Sequence, residues 1–298
     1  MKNWIYPVMV VVAASCYGVL STIIKVAMQN GFTAAEAVTS QYFVGFFLAA
    51  LLFAVTQRKF PRLRGWKILV LSGSCTAATG MVYGQSLEYL PASLAVVLLF
   101  QFTWIGMFLD CIVKRRRLKR TETLSLILLF GGTLLAAGVI DADLSGIAWQ
   151  GWAWGIGAAF CFSAFMFFNG KKVEGMDTSA RLFYVSLFAA IVVGMFQTPE
   201  IVWNGQLFSE GLWIYGLLLG FFGIIMPIYF FSIAVPHTGS GLASILSAME
   251  LPVAIVASVL ILSETLTLLQ VVGIGVILVG MVLPSAFNRT PKIVETIH

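Results

Sequence analysis

The sequence predicts an all-α integral membrane protein: ten transmembrane helices in two inverted five-helix repeats, with both termini cytoplasmic. Composition, the lengths of the apolar runs and an internal repeat predict it. Hydrophobic residues make up 59% of the 298-residue chain and charged residues 10%, where a soluble domain carries roughly 25% charge. Mean hydropathy is +0.95. A soluble fold of this length cannot hide so much apolar surface, so lipid must be the solvent for most of it.

Apolar runs place the helices at 5–28, 34–56, 67–89, 92–113, 122–140, 148–170, 180–198, 211–235, 240–262 and 267–287. Each has about the 17–25 residues that cross ~30 Å of hydrocarbon. The first is long and lacks a small-residue cleavage site, so it reads as a span and not as a removed signal peptide. Nothing alternates at the ten-residue period of a membrane barrel.

Basic residues orient the helices. "RKFPRLRGWK" follows the second helix and holds five Lys and Arg, and "KRRRLKR" follows the fourth and holds six. Lys171, Lys172 and Arg181 flank the loop between helices 6 and 7, Arg289 and Lys292 follow helix 10, and Lys2 precedes helix 1. With cytoplasmic termini, only Lys25 of the 18 basic residues falls on the far side, as the positive-inside rule requires. The opposite loops carry Glu36, Glu88, Asp141, Asp143, Glu200, Glu210 and Glu264. The net charge of +5 is thus a topology signal and calls for no nucleic-acid partner. Cys16, Cys75, Cys111 and Cys161 form no CxxC pair and sit in apolar stretches, as buried thiols do.

The two halves resemble each other. "AASCYGVLSTIIKVAMQNGFTAAE" (13–36) aligns with "AAFCFSAFMFFNGKKVEGMDTSAR" (158–181). The expected organisation is a first repeat over 1–143, a second over 144–288 and a cytoplasmic tail over 289–298. Five helices per half make the second enter from the opposite side. This inverted construction is common in secondary transporters, with the site near the midplane where the repeats meet. "GMVYG", "GWAWG" and "GLLLG" are GxxxG spacings that let helix backbones approach closely.

Glu250 is the sole charge in Ser240–Leu262 and the eleventh residue of that 23-residue run, so it falls near the bilayer centre. Helical geometry puts Ala243, Ser247, Ala254 and Ala257 on its face and Ile245, Ile255 and Val259 opposite, toward lipid. Pro252, two residues on, removes a backbone donor and is a candidate hinge, as is Pro227 in helix 8. A carboxyl at this depth is costly when charged and reads as functional. It suits a group that exchanges a proton for a cationic substrate.

Other polar residues join Glu250 at that depth. Ser72, Thr76, Thr79, Tyr83 and Ser86 share one face of helix 3, and Ser15, Gly18, Thr22 and Lys25 share one face of helix 1. Gln101 and Trp104 stand together in helix 4, and Tyr17, Tyr42 and Tyr229 lie at similar depth. Such stripes are expected around a ligand-filled cavity, with aromatic faces for a flat or cationic ligand. The expected substrate-binding set is Glu250, Gln101, Trp104, Tyr83, Thr79, Tyr17, Tyr42, Tyr229 and Ser247. Single hydroxyls in such helices often bond only the carbonyl four residues back. Asp110 is expected to be salt-bridged next to the "KRRR" run, and His237 to lie in the tight turn "PHTGSG". The sequence has no Walker loop, HExxH, GxSxG or TVGYG motif, so no enzyme, no cofactor and no metal site are expected.

The stretch "SGLASILSAMELPVAIVASVLILSETLTLLQVVGIGVILVGMVL" (240–283) carries a small-residue helix, Glu-x-Pro, an acid at Glu264 and spaced glycines at Gly273 and Gly280. With ten helices in five-helix halves, it resembles the second repeat of EamA-type members of the drug/metabolite transporter superfamily. The likeness covers roughly residues 5–285. In the first repeat Gln101 and Thr103 stand where Glu250 and Pro252 would align, which confines carboxylate chemistry to the second half. The resemblance implies alternating-access transport of small organic metabolites, and the lack of an organelle-targeting segment makes the plasma membrane, a bacterial inner membrane, the expected location. The first expectation is export of amino acids or related compounds, coupled to protons through Glu250. The alternatives are proton-driven uptake of a choline-like organic cation and a non-transporting scaffold or sensor. Expected partners are the substrate, lipid and protons, with the chain a monomer or homodimer.

Overall fold

A computed structural model describes residues 4–57, 65–90, 92–136, 148–171, 173, 175–197, 200–262 and 267–287. Asp141, Asp143, Glu264, all of "RKFPRLR" and the tail 289–298 lie outside the described residues.

The helices follow the apolar runs. The first repeat holds α1 (Ile5–Gln29), α2 (Ala34–Thr56), α3 (Trp66–Tyr89), α4 (Ala92–Leu99), α5 (Phe102–Val113) and α6 (Arg120–Ala136). The second holds α7 (Trp149–Asn169), α8 (Thr178–Phe196), the short α9 (Glu200–Trp203) and α10 (Gln206–Ser209), α11 (Leu212–Gly220), α12 (Met226–Thr238), α13 (Ser240–Leu246), α14 (Glu250–Leu262) and α15 (Leu268–Phe287). A capping box starts α2. Thr33 Oγ1 accepts from the Glu36 N–H at 3.2 Å, and the Glu36 carboxylate accepts from the Thr33 N–H at 2.7 Å.

Among the described residues seven segments are long and apolar enough to cross a membrane: α1, α2, Leu94–Val113, α7, α8, Leu212–Thr238 and Ser240–Leu262. That is fewer than the ten expected, for physical reasons. The 24 residues of α3 are long enough but carry a polar face. α6 spans 17 residues, and the apolar part of α15 runs only from Leu268 to Pro284.

Helix pairing follows a twofold pattern. α1 packs on α12 as α7 packs on α3, and α1 on α14 as α7 on α5. α2 packs on α11 as α8 packs on α3. α2 with α8 and α6 with α15 pair across the relation itself, and α5 packs on α13. Glycine makes several of these approaches possible. A Cβ on Gly155 would stand 2.6 Å from Leu98 Cδ1, and one on Gly220 2.8 Å from the Gly45 nitrogen. In lipid, such close backbone approach supplies the packing that the hydrophobic effect cannot.

Helix 4 and helix 9 are both broken, and for helix 4 this departs from the continuous span expected. In the first repeat the break is at Phe100–Gln101, where the Thr103 N–H reaches the Phe100 carbonyl three residues back. In the second it is a 3₁₀ turn at Ser247–Met249. Pro252 cannot donate to the Ala248 carbonyl, which accounts for the second break. Helix 8 widens into a π turn at Phe221–Ile225, with the Met226 N–H reaching Phe221 O five residues back. Pro227 likewise leaves the Gly223 carbonyl without its usual donor.

The break in helix 9 corrects one expectation. Ile245 does not face lipid but is fully buried. The 3₁₀ turn shifts the helical phase, so Val256, Leu260 and Ile261 of α14 form the exposed apolar face instead. Phe102, Met107, Phe165, Met166 and Phe231 are among the large side chains fully buried in the core.

Candidate functional site

Glu250 opens α14 directly after the 3₁₀ turn. Gly18 of α1 brings that turn close, because a Cβ there would collide with the Glu250 carbonyl and stand 2.9 Å from Val253 Cβ. The Glu250 side chain enters a cavity between α1, α2, α3, α4, α7, the π turn and α14. α1 contributes Tyr17 to Ile24, α2 Val38 to Tyr42 and α3 Thr76 to Tyr83. The cavity therefore sits in the half of the bundle remote from the 114–120 loop.

The cavity has about 770 Å³ of empty space, mouth included, of which about 90 Å³ is open to the centres of water molecules. One water needs roughly 10–15 Å³ by that measure, so the space admits several waters or a small organic ligand. No hydrogen bond or ion pair to the Glu250 carboxyl is found among the described residues. The Tyr17 and Tyr83 phenols lie within electrostatic reach of it. The Tyr17 hydroxyl is buried beside Thr76 and makes no well-aligned hydrogen bond among the described residues. Tyr42 donates to the Thr76 carbonyl at 2.6 Å and so ties α2 to α3. Gly80 leaves room for that ring, since a Cβ there would stand 2.8 Å from the Tyr42 oxygen.

Of the residues singled out from sequence, Glu250, Tyr17, Tyr42, Thr79 and Tyr83 line this cavity. The other four of the expected substrate-binding set do not line it. Gln101 and Trp104 sit at the break in helix 4 and face a separate apolar groove with Phe130, Trp152 and Phe160. There Gln101 donates to the Val97 carbonyl at 2.9 Å and accepts from the Trp104 indole N–H. The other face of the same helix, Val96 and Leu99, lines the cavity. Tyr229 borders a pocket with Gln57 and Asp177 between α2, α8 and α12. Ser247 is buried, with an unpartnered hydroxyl, but is not a lining residue. Pro227 and Pro252 stand beside the π turn and the 3₁₀ turn.

Sequence reasoning missed Gln41, Ser21 and Phe162, all of which line the cavity. Gln41 is buried, and its amide lies against Gly223 of the π turn. Its signal was an uncharged amide inside the 23-residue apolar helix α2. It stands beside Tyr42, which drew attention by its ring.

A polar cluster closes the opposite half. Asp110, at the end of α5, pairs with Lys114 at 2.8 Å and with Arg116 at 2.9 Å, and Arg116 also pairs with Glu122 at 2.8 Å. Burial opposes the charge on Arg116, yet hydrogen bonds to Glu122 and Asp110 hold its pKa above the usual arginine range. This is the pairing expected for Asp110. His237 lies not in a turn but in the last turn of α12, exposed and stacked on Tyr6 at 4.0 Å between centroids. Among the described residues no group of three or more His, Cys, Asp or Glu is placed to hold a metal.

A cavity beside two broken helices in a twofold-paired, membrane-spanning bundle has the architecture of a multi-pass membrane transporter. The model of the EamA-like transporter family matches residues 4–138 and 149–286. The chain belongs to that family, and the two matches are its two repeats. A crystal structure of a protein 14% identical in sequence has the same fold, with a TM-score of 0.76 over 95% of this chain and 97% of that one. No curated protein matches the sequence.

Proposed function

We propose that the protein is a secondary active transporter that moves small organic metabolites by alternating access, exporting amino acids or related compounds, with Glu250 as the proton-coupling group. The observation that carries this reading is one carboxyl, without a protein partner among the described residues, at the wall of a cavity next to the break in helix 9. A proton and a cationic substrate group can each neutralise it, so the two compete. Discontinuous helices at the repeat interface are where secondary transporters place their sites. Ten spans with cytoplasmic termini, in a bacterial inner membrane, complete the proposal. The twofold pairing of α3, α6 and α15 with apolar partners supports that count.

The test is transport in proteoliposomes under an imposed pH gradient. Wild-type rates are expected to follow the gradient, and Glu250→Gln rates to ignore it. Glu250→Gln transport with the wild-type pH response removes the coupling role.

A second reading is uptake of an organic cation. It is favoured by the lining itself, which holds one acid and several aromatic rings and no Lys, Arg or His.

A further inference from the structure

We propose that the central cavity selects a primary or secondary ammonium carried on an apolar or aromatic body, and disfavours substrates that bring a carboxylate or a quaternary nitrogen. The inference rests on the transport reading and, within amino acids and related compounds, favours the related amines over the amino acids themselves.

Charge is the first argument. Glu250 is the sole formally charged side chain among the lining residues, and the other titratable groups there are Tyr17, Tyr42 and Tyr83. A zwitterion such as an amino acid would place its carboxylate beside Glu250 with no cation to receive it. Desolvating an unpaired charge is costly, and a like charge adds to that cost.

Hydrogen bonding is the second. The free Glu250 carboxyl, the unpartnered Tyr17 hydroxyl and the Gln41 amide oxygen are acceptors for N–H groups. Tyr42 has spent its proton on Thr76, and Thr79 its own on the Cys75 carbonyl, so both oxygens have only lone pairs to offer. A primary ammonium brings up to three N–H donors to this acceptor-rich wall. A quaternary ammonium brings none and leaves the acceptors unpaired. The rest of the wall is apolar, with Val96, Leu99 and the Phe162 ring to cover a hydrocarbon or aromatic body.

The test uses the intact purified protein with four probes that share a phenyl ring: 2-phenylethylamine, phenylalanine, phenylacetate and benzyltrimethylammonium. Ligand binding to the folded form raises the melting temperature. 2-Phenylethylamine is expected to raise it at the lowest concentration, with phenylalanine and benzyltrimethylammonium weaker by roughly tenfold or more, the worth of one charge-assisted hydrogen bond. Glu250→Gln is expected to weaken the amine by roughly 30-fold or more. Tyr17→Phe, a milder change that keeps the ring, is expected to weaken it by roughly tenfold. Phenylalanine, phenylacetate or benzyltrimethylammonium binding as well as the amine overturns the inference, as does no binding by any probe. Counterflow of the same labelled probes separates the two readings. Amine binding that depends on Glu250 without counterflow removes transport and leaves the site class. Counterflow that prefers phenylalanine removes the site class and leaves transport.

Discussion

The Ser240 hydroxyl donates to Asp110 Oδ1 at 3.0 Å and so ties the end of α5 to the start of α13. The two residues belong to different repeats. Around them a Cβ on Gly241 would stand 2.9 Å from Met107 Sδ, and Ser244 fills the notch left by Gly106. The α5–α13 pair therefore seals the bundle end nearest the 114–120 loop, while the cavity lies in the other half. In the proposed alternating-access cycle this pair would have to separate.

Ser240→Ala is expected to loosen that seal at a cost of about 1 kcal/mol, the net worth of one hydrogen bond. Asp110→Ala is expected to cost more, about 3 kcal/mol, because it also strips Lys114 and Arg116 of their shared acid. A single cysteine at Ser244 reports the opening. Its labelling from the loop side should be slow in the wild-type background and faster in both variants. Unchanged labelling in both removes the seal.

The Gly18 contact makes a second prediction. Gly18→Ala forces α1 away from the start of α14, an overpacking that costs typically 1–3 kcal/mol. The melting temperature is expected to fall and ligand binding at Glu250 to weaken with it. Gly275→Ala is the control, since a Cβ there meets nothing within 4 Å. Its melting temperature should be unchanged or higher, and a drop as large as that of Gly18→Ala defeats the packing explanation.

The membrane class, the helix positions and the repeat were legible because lipid imposes them on composition and run length. The depth of Glu250 was legible for the same reason, since a lone acid in an apolar run has a countable position. The direction of each side chain was less so. Gln101 and Glu250 align in the two repeats and both stand at helix breaks, yet one faces an outer groove and the other the cavity. Ile245 was misplaced because a constant 100° per residue does not survive a 3₁₀ turn. Gln41 was passed over because its placement depends on Gly223, distant in sequence and held in a π turn that only Pro227 hints at.

Arg181 supports a third prediction. It is buried, and its guanidinium donates to the carbonyls of Asn169 at 2.6 Å, Lys171 at 2.9 Å and Phe168 at 3.3 Å. It thus caps the C-terminal end of α7, where orphan carbonyls and the helix dipole favour a cation. Arg181→Lys keeps the charge but cannot span the three acceptors with one ammonium. It is expected to cost about 2 kcal/mol, and Arg181→Met more, because the carbonyls are then left unpaired. The ordering wild type, Lys, Met in melting temperature is the check. Equal values for Lys and wild type would reduce the role to charge alone.

Gln101 and Trp104 give the sharpest contrast with Glu250. Their side chains bond each other at the break in helix 4 and face the groove lined by Phe130, Trp152 and Phe160. Val96 and Leu99, on the same helix, face the cavity. Trp104→Phe is therefore expected to leave ligand-induced stabilisation of the protein within about twofold of wild type in apparent affinity. Gln101→Leu removes the bond to the Val97 carbonyl and is expected to cost about 1 kcal/mol of stability, again with ligand affinity kept. Loss of ligand response in Trp104→Phe, with folding intact, would move the binding site from the cavity to the groove. The substrate would then sit on the opposite face of helix 4 from Glu250, and the carboxyl would lose its direct contact with it.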